Sequence, residues 1–245
     1  MRTLILALTV MMMLLSCVED EDINGNGDGK GWEKEWGSDR TDSLNAIAVS
    51  PDDTVYVGGM TLGELYAPKV GIDATLAAFN PNGDELWGKQ WGNGSIRTLI
   101  ADGFGNVYAG GGDVFNLIKI SSDGKEIWRK INDDENWFQV LAIDLAGNIY
   151  GGKINGDITK FSPEGKELWH HNISTEDAKG EIKALAVDSE GNIYAGGLAW
   201  NDLFGESAGG SDAFLVKIAP DKTHIWEKQW GGGGMIELTR LQLII

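Results

Sequence analysis

Gly191-Asn192-Ile193-Tyr194-Ala195-Gly196-Gly197 decides the fold, because the chain writes this phrase four times. The other copies are Asp53-Thr54-Val55-Tyr56-Val57-Gly58-Gly59, Gly105-Asn106-Val107-Tyr108-Ala109-Gly110-Gly111 and Gly147-Asn148-Ile149-Tyr150-Gly151-Gly152. β-Branched and aromatic residues favour extended backbone. The Gly-Asn pairs before them tolerate the positive φ of a tight hairpin. An alanine-rich apolar run precedes each copy: Leu44–Val49, Ile96–Ala101, Val140–Ile143 and Ile182–Val187. A short apolar run follows each: Leu76–Phe79, Leu117–Ile120, Ile158–Phe161 and Phe214–Ile218. After that comes a turn and a strand that carries a tryptophan: Trp87, Trp128, Trp169 or Trp226. Each unit thus predicts four short strands, A to D, in order. A single such sheet cannot bury both faces, so neighbouring sheets must stack, with the tryptophan filling the wedge between them.

Units of roughly 40–55 residues with four strands and a recurring tryptophan are the signature of propeller blades. Trp32-Glu33-Lys34-Glu35-Trp36-Gly37, Trp87-Gly88-Lys89-Gln90-Trp91-Gly92 and Trp226-Glu227-Lys228-Gln229-Trp230-Gly231 resemble the opening of bacterial SBBP-type β-propeller repeats. The Gly-Asn-Ile-Tyr-Ala-Gly-Gly phrase and Ser211-Asp212-Ala213-Phe214-Leu215-Val216-Lys217 do so as well. Asp123–Trp128 and Glu164–Trp169 are closer to PQQ-like repeats. The resemblance implies an all-β propeller over residues 32–245, with four complete blades and a partial fifth. Trp32–Trp36 reads as a lone strand D, and Glu237–Ile245 aligns only with strand A, Arg240 and Gln242 standing where the fourth unit has Ala184 and Ala186. This pattern is expected of a larger propeller whose reading frame is truncated; a small ring closed in an unusual way is the competing reading. Coding DNA that continues in another frame with the Asp-x-x-Gly-Asn-x-Tyr phrase would separate them.

The N-terminus carries a different signal. Leu4–Leu15 is apolar except for Thr9 and follows Arg2. Twelve residues at 1.5 Å rise cover about 18 Å, short of the ~30 Å hydrocarbon core, so residues 1–16 read as a secretory signal rather than a membrane span. Leu14-Leu15-Ser16-Cys17 resembles the bacterial lipobox. That resemblance implies a lipidated Cys17 and an exported, membrane-anchored protein. Val18, in place of aspartate, implies the outer membrane. The acidic run Glu19–Asp22 is similar to surface-targeting tags of Bacteroidetes lipoproteins, with a solvated spacer as the plainer reading. Residues 17–31 then form an acidic Gly/Asn/Asp-rich tether.

Within it, Asp22, Asn24, Asn26, Asp28 and Glu33 carry the oxygen spacing of an EF-hand calcium loop. No flanking helix is predicted, and Gly29 replaces the usual apolar residue, so a flexible tether competes with a Ca²⁺ site.

The formal net charge of -17 disfavours nucleic acid as a partner. The single cysteine excludes an intrachain disulfide. His170, His171 and His224 read as surface histidines, since adjacent strand residues face opposite ways. No nucleophile elbow, HExxH or phosphate loop is present. No quinone or other cofactor is expected, and no catalytic residue is assigned. The D–A and B–C loops share one rim of a propeller. They carry the candidate binding residues Tyr66, Asp133, Asp134, Trp200, Asp202 and Phe204. Loop aromatics either pack as caps on their own blade or contact a partner. The expectation is a non-enzymatic scaffold for protein or ligand. One alternative resembles the propeller lipoprotein of the outer-membrane barrel assembly machinery, and another is a carbohydrate-binding propeller.

Overall fold

The structure is a computed structural model that describes residues 31–113, 115–131 and 136–232. Among the described residues of Glu33–Ile245, one of two compact units, sixteen strands form four antiparallel sheets. The first sheet contains β1 (Asp42–Val49), β2 (Val55–Thr61), β3 (Asp73–Phe79) and β4 (Glu85–Trp91). The second contains β5 (Gly94–Ala101), β6 (Val107–Asp113), β7 (Leu117–Ile120) and β8 (Glu126–Lys130). The third contains β9 (Phe138–Ile143), β10 (Ile149–Lys153), β11 (Asp157–Phe161) and β12 (Glu167–Asn172). The fourth contains β13 (Lys179–Val187), β14 (Ile193–Trp200), β15 (Ser211–Ile218) and β16 (His224–Trp230). Each sheet keeps the order A-B-C-D of the repeat.

The A–B hairpins show why Gly-Asn recurs. Gly105, Gly147 and Gly191 sit at φ of +79°, +80° and +80°, and Asp53 takes the same place in the first sheet at 61°. Each inner strand also carries a bulge: Asn45, Arg97, Gln139 and Lys183 have no partner in the ladder register. The extra residue kinks the strand and frees a polar side chain from the apolar alternation. Asn45 donates to the Ile96 carbonyl at 2.9 Å, and Lys183 donates to Gln139 Oε1 at 3.2 Å, so these residues cross-link neighbouring inner strands.

The sheets stack through their A strands. β5 packs on the first sheet, β9 on the second and β13 on the third. Ile96, Phe138 and Ile182, each just before the bulge of its strand, are fully buried. Each contributes about 1.5–3 kcal/mol by leaving water. The Tyr-x-Gly glycine makes room for them: a Cβ on Gly58 would lie 2.8 Å from Ile96 Cγ2, and one on Gly152 would lie 2.6 Å from Ile182 Cγ2. Trp87 and Trp128 lean over the next sheet's C–D turn, where their indoles donate to the Ser122 and Pro163 carbonyls at 2.8 and 3.1 Å. The wedge role expected of the tryptophans is therefore met in these two joints.

One expectation is corrected. Residues 33–36 do not form a strand D. A strand needs a neighbour offering its own N–H and C=O groups, and no such neighbour stands beside them among the described residues. Side chains hold the segment instead: the Trp36 indole donates to the Tyr66 hydroxyl at 2.5 Å, and the Lys34 ammonium lies over the Phe79 ring. The complementary strand expected at 237–245 lies outside the described residues.

Candidate functional site

Three sheets share a polar device that the repeat phrases conceal. In the second sheet, Asp102 Oδ1 accepts the amides of Phe104 and Asn106, at 3.0 and 2.9 Å. Its Oδ2 accepts Asn106 Nδ2 at 2.8 Å and the Tyr108 hydroxyl at 3.3 Å, and Lys119 Nζ lies 3.5 Å away. Lys119 also sits over the Tyr108 ring, 4.8 Å from its centroid. Asp144, Tyr150 and Lys160 repeat this geometry, as do Asp188, Tyr194 and Lys217. Burial alone pushes the Asp102 and Asp144 carboxyls up. The amide donors and the lysine charge more than offset it, and both sit below the ordinary carboxylate value. The first sheet has Ser50 and Ala78 in these places, and its Tyr56 hydroxyl donates to the Gly105 carbonyl of the next sheet at 2.6 Å. These triads are fully internally paired, which makes them structural clamps.

The two long B–C loops are held by a second device. In the first sheet, Gln90 Nε2 donates to Asp73 Oδ2 at 2.8 Å and to the Gly63 carbonyl at 3.0 Å. Its Oε1 accepts the amides of Leu65 and Tyr66. In the fourth, Gln229 Nε2 donates to Asp212 Oδ2 at 2.9 Å and to the Asn201 carbonyl at 2.8 Å, while Oε1 accepts the Phe204 amide at 2.9 Å. The Trp-x-Lys-Gln-Trp-Gly phrase thus positions a loop through its glutamine.

The fourth-sheet loop meets the preceding D–A loop on one rim. Between them opens a cleft of about 680 Å³ lined by Thr175, Asp177, Ala178, Asn201, Asp202 and Ser207. Asn201 Nδ2 donates to the Asp177 carbonyl at 2.5 Å, tying the two walls together. Asp202 Oδ1 accepts the Ser207 amide at 2.7 Å, which fixes the carboxylate at the mouth. Trp200 ends β14 immediately before this wall and is 37% exposed. The lining offers two carboxylates, an amide and two hydroxyls, suited to a basic or hydroxyl-rich ligand.

The residues singled out in the sequence divide accordingly. Asp202 lines the cleft with Asp177, and Trp200, outside the lining, precedes it in the chain. Phe204 turns inward, 5.6 Å from the Phe214 ring centroid and 5.7 Å from that of His224. Tyr66 packs over Gly88, where an added Cβ would fall 1.9 Å from its ring. These two aromatics cap their own sheets. Cys17, Asp22, Asn24, Asn26, Asp28, Asp133 and Asp134 lie outside the described residues. Glu33 is described and exposed. Among the described residues no group of three or more His, Cys, Asp or Glu side chains is placed to hold a metal ion. His171 and His224, read separately in the sequence, meet across the third and fourth sheets.

No family model and no curated protein matches the chain. Solved structures match it by shape. A chain of the mitotic checkpoint complex superposes with a TM-score of 0.57 at 11% identity, covering 93% of this chain and 62% of that one. The Pan2 WD40 domain of Neurospora crassa gives 0.53 at 12% identity, covering 78% and 51%. The domain is a β-propeller. A catalytically inactive virginiamycin B lyase from Staphylococcus aureus, solved with quinupristin, gives 0.53 at 11% identity, covering 80% and 58%. At such identities the likeness is one of fold alone, and propellers host unrelated functions. The chain spans less than two thirds of each of these structures.

Proposed function

We propose that the propeller is a lipid-anchored, extracytoplasmic, non-enzymatic scaffold that engages a protein partner through the rim cleft of its fourth blade. The observation that carries this reading is the cleft between Thr175–Ala178 and Asn201–Ser207, with Asp177 and Asp202 on opposite walls. Loops held by a rigid sheet are where recognition residues accumulate. The two carboxylates favour a basic surface on the partner. The anchoring part rests on the lipobox-like Leu14–Cys17 phrase. Quantitative capture from an envelope extract tests the cleft, comparing the native chain with Asp177→Asn/Asp202→Asn. A partner held by the native chain and lost from an equally stable variant supports the reading; equal capture by both refutes it. Metabolic labelling with an alkyne fatty acid tests the anchor, with label expected on the native chain and absent from Cys17→Ser.

A second reading is favoured by Trp200, which is exposed at the end of β14, one residue before the cleft-lining Asn201. An exposed indole is a platform on which a sugar ring can stack. In that case the cleft takes a glycan, and Trp200→Ala abolishes binding on a glycan array.

A further inference from the structure

The recurring tryptophan of strand D gives a common frame for comparing the joints between blades. Two residues after it stand Lys89, Lys130 and His171 in the first, second and third blades. Two residues before it, in the blade that follows each of these, stand Glu126, Glu167 and His224. At the first joint the two positions carry opposite charges that sense one another. The hydrogen bond from Arg129, with the charges of Arg129 and Lys89, holds the Glu126 carboxyl below its ordinary value over the cost of burial. The second joint has the same residue types in the same places. At the third, both partners are replaced, and by the same residue. Their rings meet nitrogen to nitrogen: Nε2 of His171 lies 3.1 Å from Nε2 of His224, with centroids 5.3 Å apart and planes crossing at 88°. Two histidines do not complement one another as lysine and glutamate do. Uncharged, these two nitrogens share one hydrogen bond at most, and with both rings charged they repel.

We propose that His171 and His224 together bind a divalent transition-metal ion of the Zn²⁺, Cu²⁺ and Ni²⁺ class, which clamps the third blade to the fourth. A shared cation makes two identical ligands complementary, and imidazole nitrogen suits this class of ion. Two nitrogens at about 2.0–2.1 Å from a tetrahedral ion stand about 3.3 Å apart, so the spacing in place is already close to that of a ligand pair. The ion lies to one side of the line between the nitrogens, and small ring tilts turn both lone pairs onto it. Its remaining positions go to water, which reaches them because the His224 side chain is 29% exposed and His171 is only partly buried. With Nε2 given to the ion, His224 keeps its proton on Nδ1 and donates it to Glu227 Oε2 at 2.7 Å, the carboxylate support that ligating histidines ordinarily have. Phe204, from the loop that carries the cleft residues Asn201 and Asp202, packs 5.7 Å from the His224 ring and helps to hold it.

The other joints supply the control. The full chain without an affinity tag, stripped with chelator and titrated with Zn²⁺ in a calorimeter, is expected to take up one ion that His171→Gln and His224→Gln each lose. His170→Gln is expected to keep it, since that ring turns to Glu167 instead. With one equivalent of Cu²⁺, the native chain is expected to show the superhyperfine coupling of two nitrogens by electron paramagnetic resonance, a signature that carboxylates cannot give. His171→Lys/His224→Glu rebuilds the pairing of the first two joints. It is expected to fold, to lose the ion and to show no rise in Tm with Zn²⁺, where the native chain gains Tm by mass action. Absence of Zn²⁺ uptake by the native chain overturns the proposal. So does equal uptake by His171→Lys/His224→Glu, or a copper spectrum without nitrogen coupling.

Discussion

The Nε2 atoms of His171 and His224 lie 3.1 Å apart across the joint between the third and fourth blades. On its other side, Nδ1 of His224 faces Glu227 Oε2 at 2.7 Å. Burial holds the His171 imidazole below its ordinary value, with the nearby charges of His224, Lys222 and His170 acting the same way and Asp157 opposing them. The unfolded chain therefore takes up a proton near pH 6.5 that the folded chain refuses. Stability is expected to hold above that pH and to fall as the solution is acidified through it. Urea midpoints between pH 7.5 and 5 should show this slope, and His171→Gln should flatten it.

The Asp–Tyr–Lys clamps set a second, lower window. Asp102 and Asp144 have folded values below the unfolded carboxylate, so their contribution is present above about pH 4 and is lost as the pH drops further. Asp144→Ala leaves Lys160 without its carboxylate and strands the donors of Asn148 and Tyr150. A loss of about 3 kcal/mol is expected in equilibrium denaturation. Asp144→Ala/Lys160→Met should recover part of it, because no unpaired charge remains.

Gly152→Ala probes the blade joint directly. The added methyl would sit 2.6 Å from Ile182 Cγ2, which is fully buried and cannot swing away, and 2.9 Å from Cγ1 of the partly buried Val140. A destabilisation of about 1–3 kcal/mol is expected. Gly103→Ala, at an exposed turn where nothing lies within 4 Å, should be close to neutral by comparison.

Gln229→Ala tests whether the loop device supports the cleft. It removes the hydrogen bonds to Asn201, Phe204 and Asp212 together. Hydrogen exchange in residues 201–210 should accelerate while the strands of the first three blades keep their protection. If the cleft is the binding surface, affinity for its partner should fall at least tenfold.

Much of the fold was legible because its cause is local and repeated. Gly147-Asn148 must turn, Ile149-Tyr150 must extend, and writing the unit four times fixes the strand order. What escaped the sequence was long-range pairing. Asp144, Tyr150 and Lys160 stand in separate phrases, and only the antiparallel register of β10 with β11 sets Tyr150 opposite Lys160. The recurrence of aspartate, then tyrosine six residues on, then a strand C lysine was the available signal. His171 and His224 were set apart for the same reason, lying on different blades. Strand D at Trp32–Trp36 was misread because its motif is shared with Trp87–Trp91, whose strand character depends on β3 lying alongside. Of the rim residues, Tyr66 and Phe204 could not be sorted from Trp200 by type, since an aromatic in a loop looks the same whether it faces in or out.

The aspartate–glutamine pin has an evolutionary corollary. Asp73 with Gln90 and Asp212 with Gln229 grip mostly main-chain atoms of loops whose side chains share little, Glu64–Lys69 in one and Asp202–Ala208 in the other. The socket is indifferent to its cartridge. Selection can therefore rewrite what such a loop recognises without renegotiating how it is held, and a segment grafted between the two strands should inherit the anchoring.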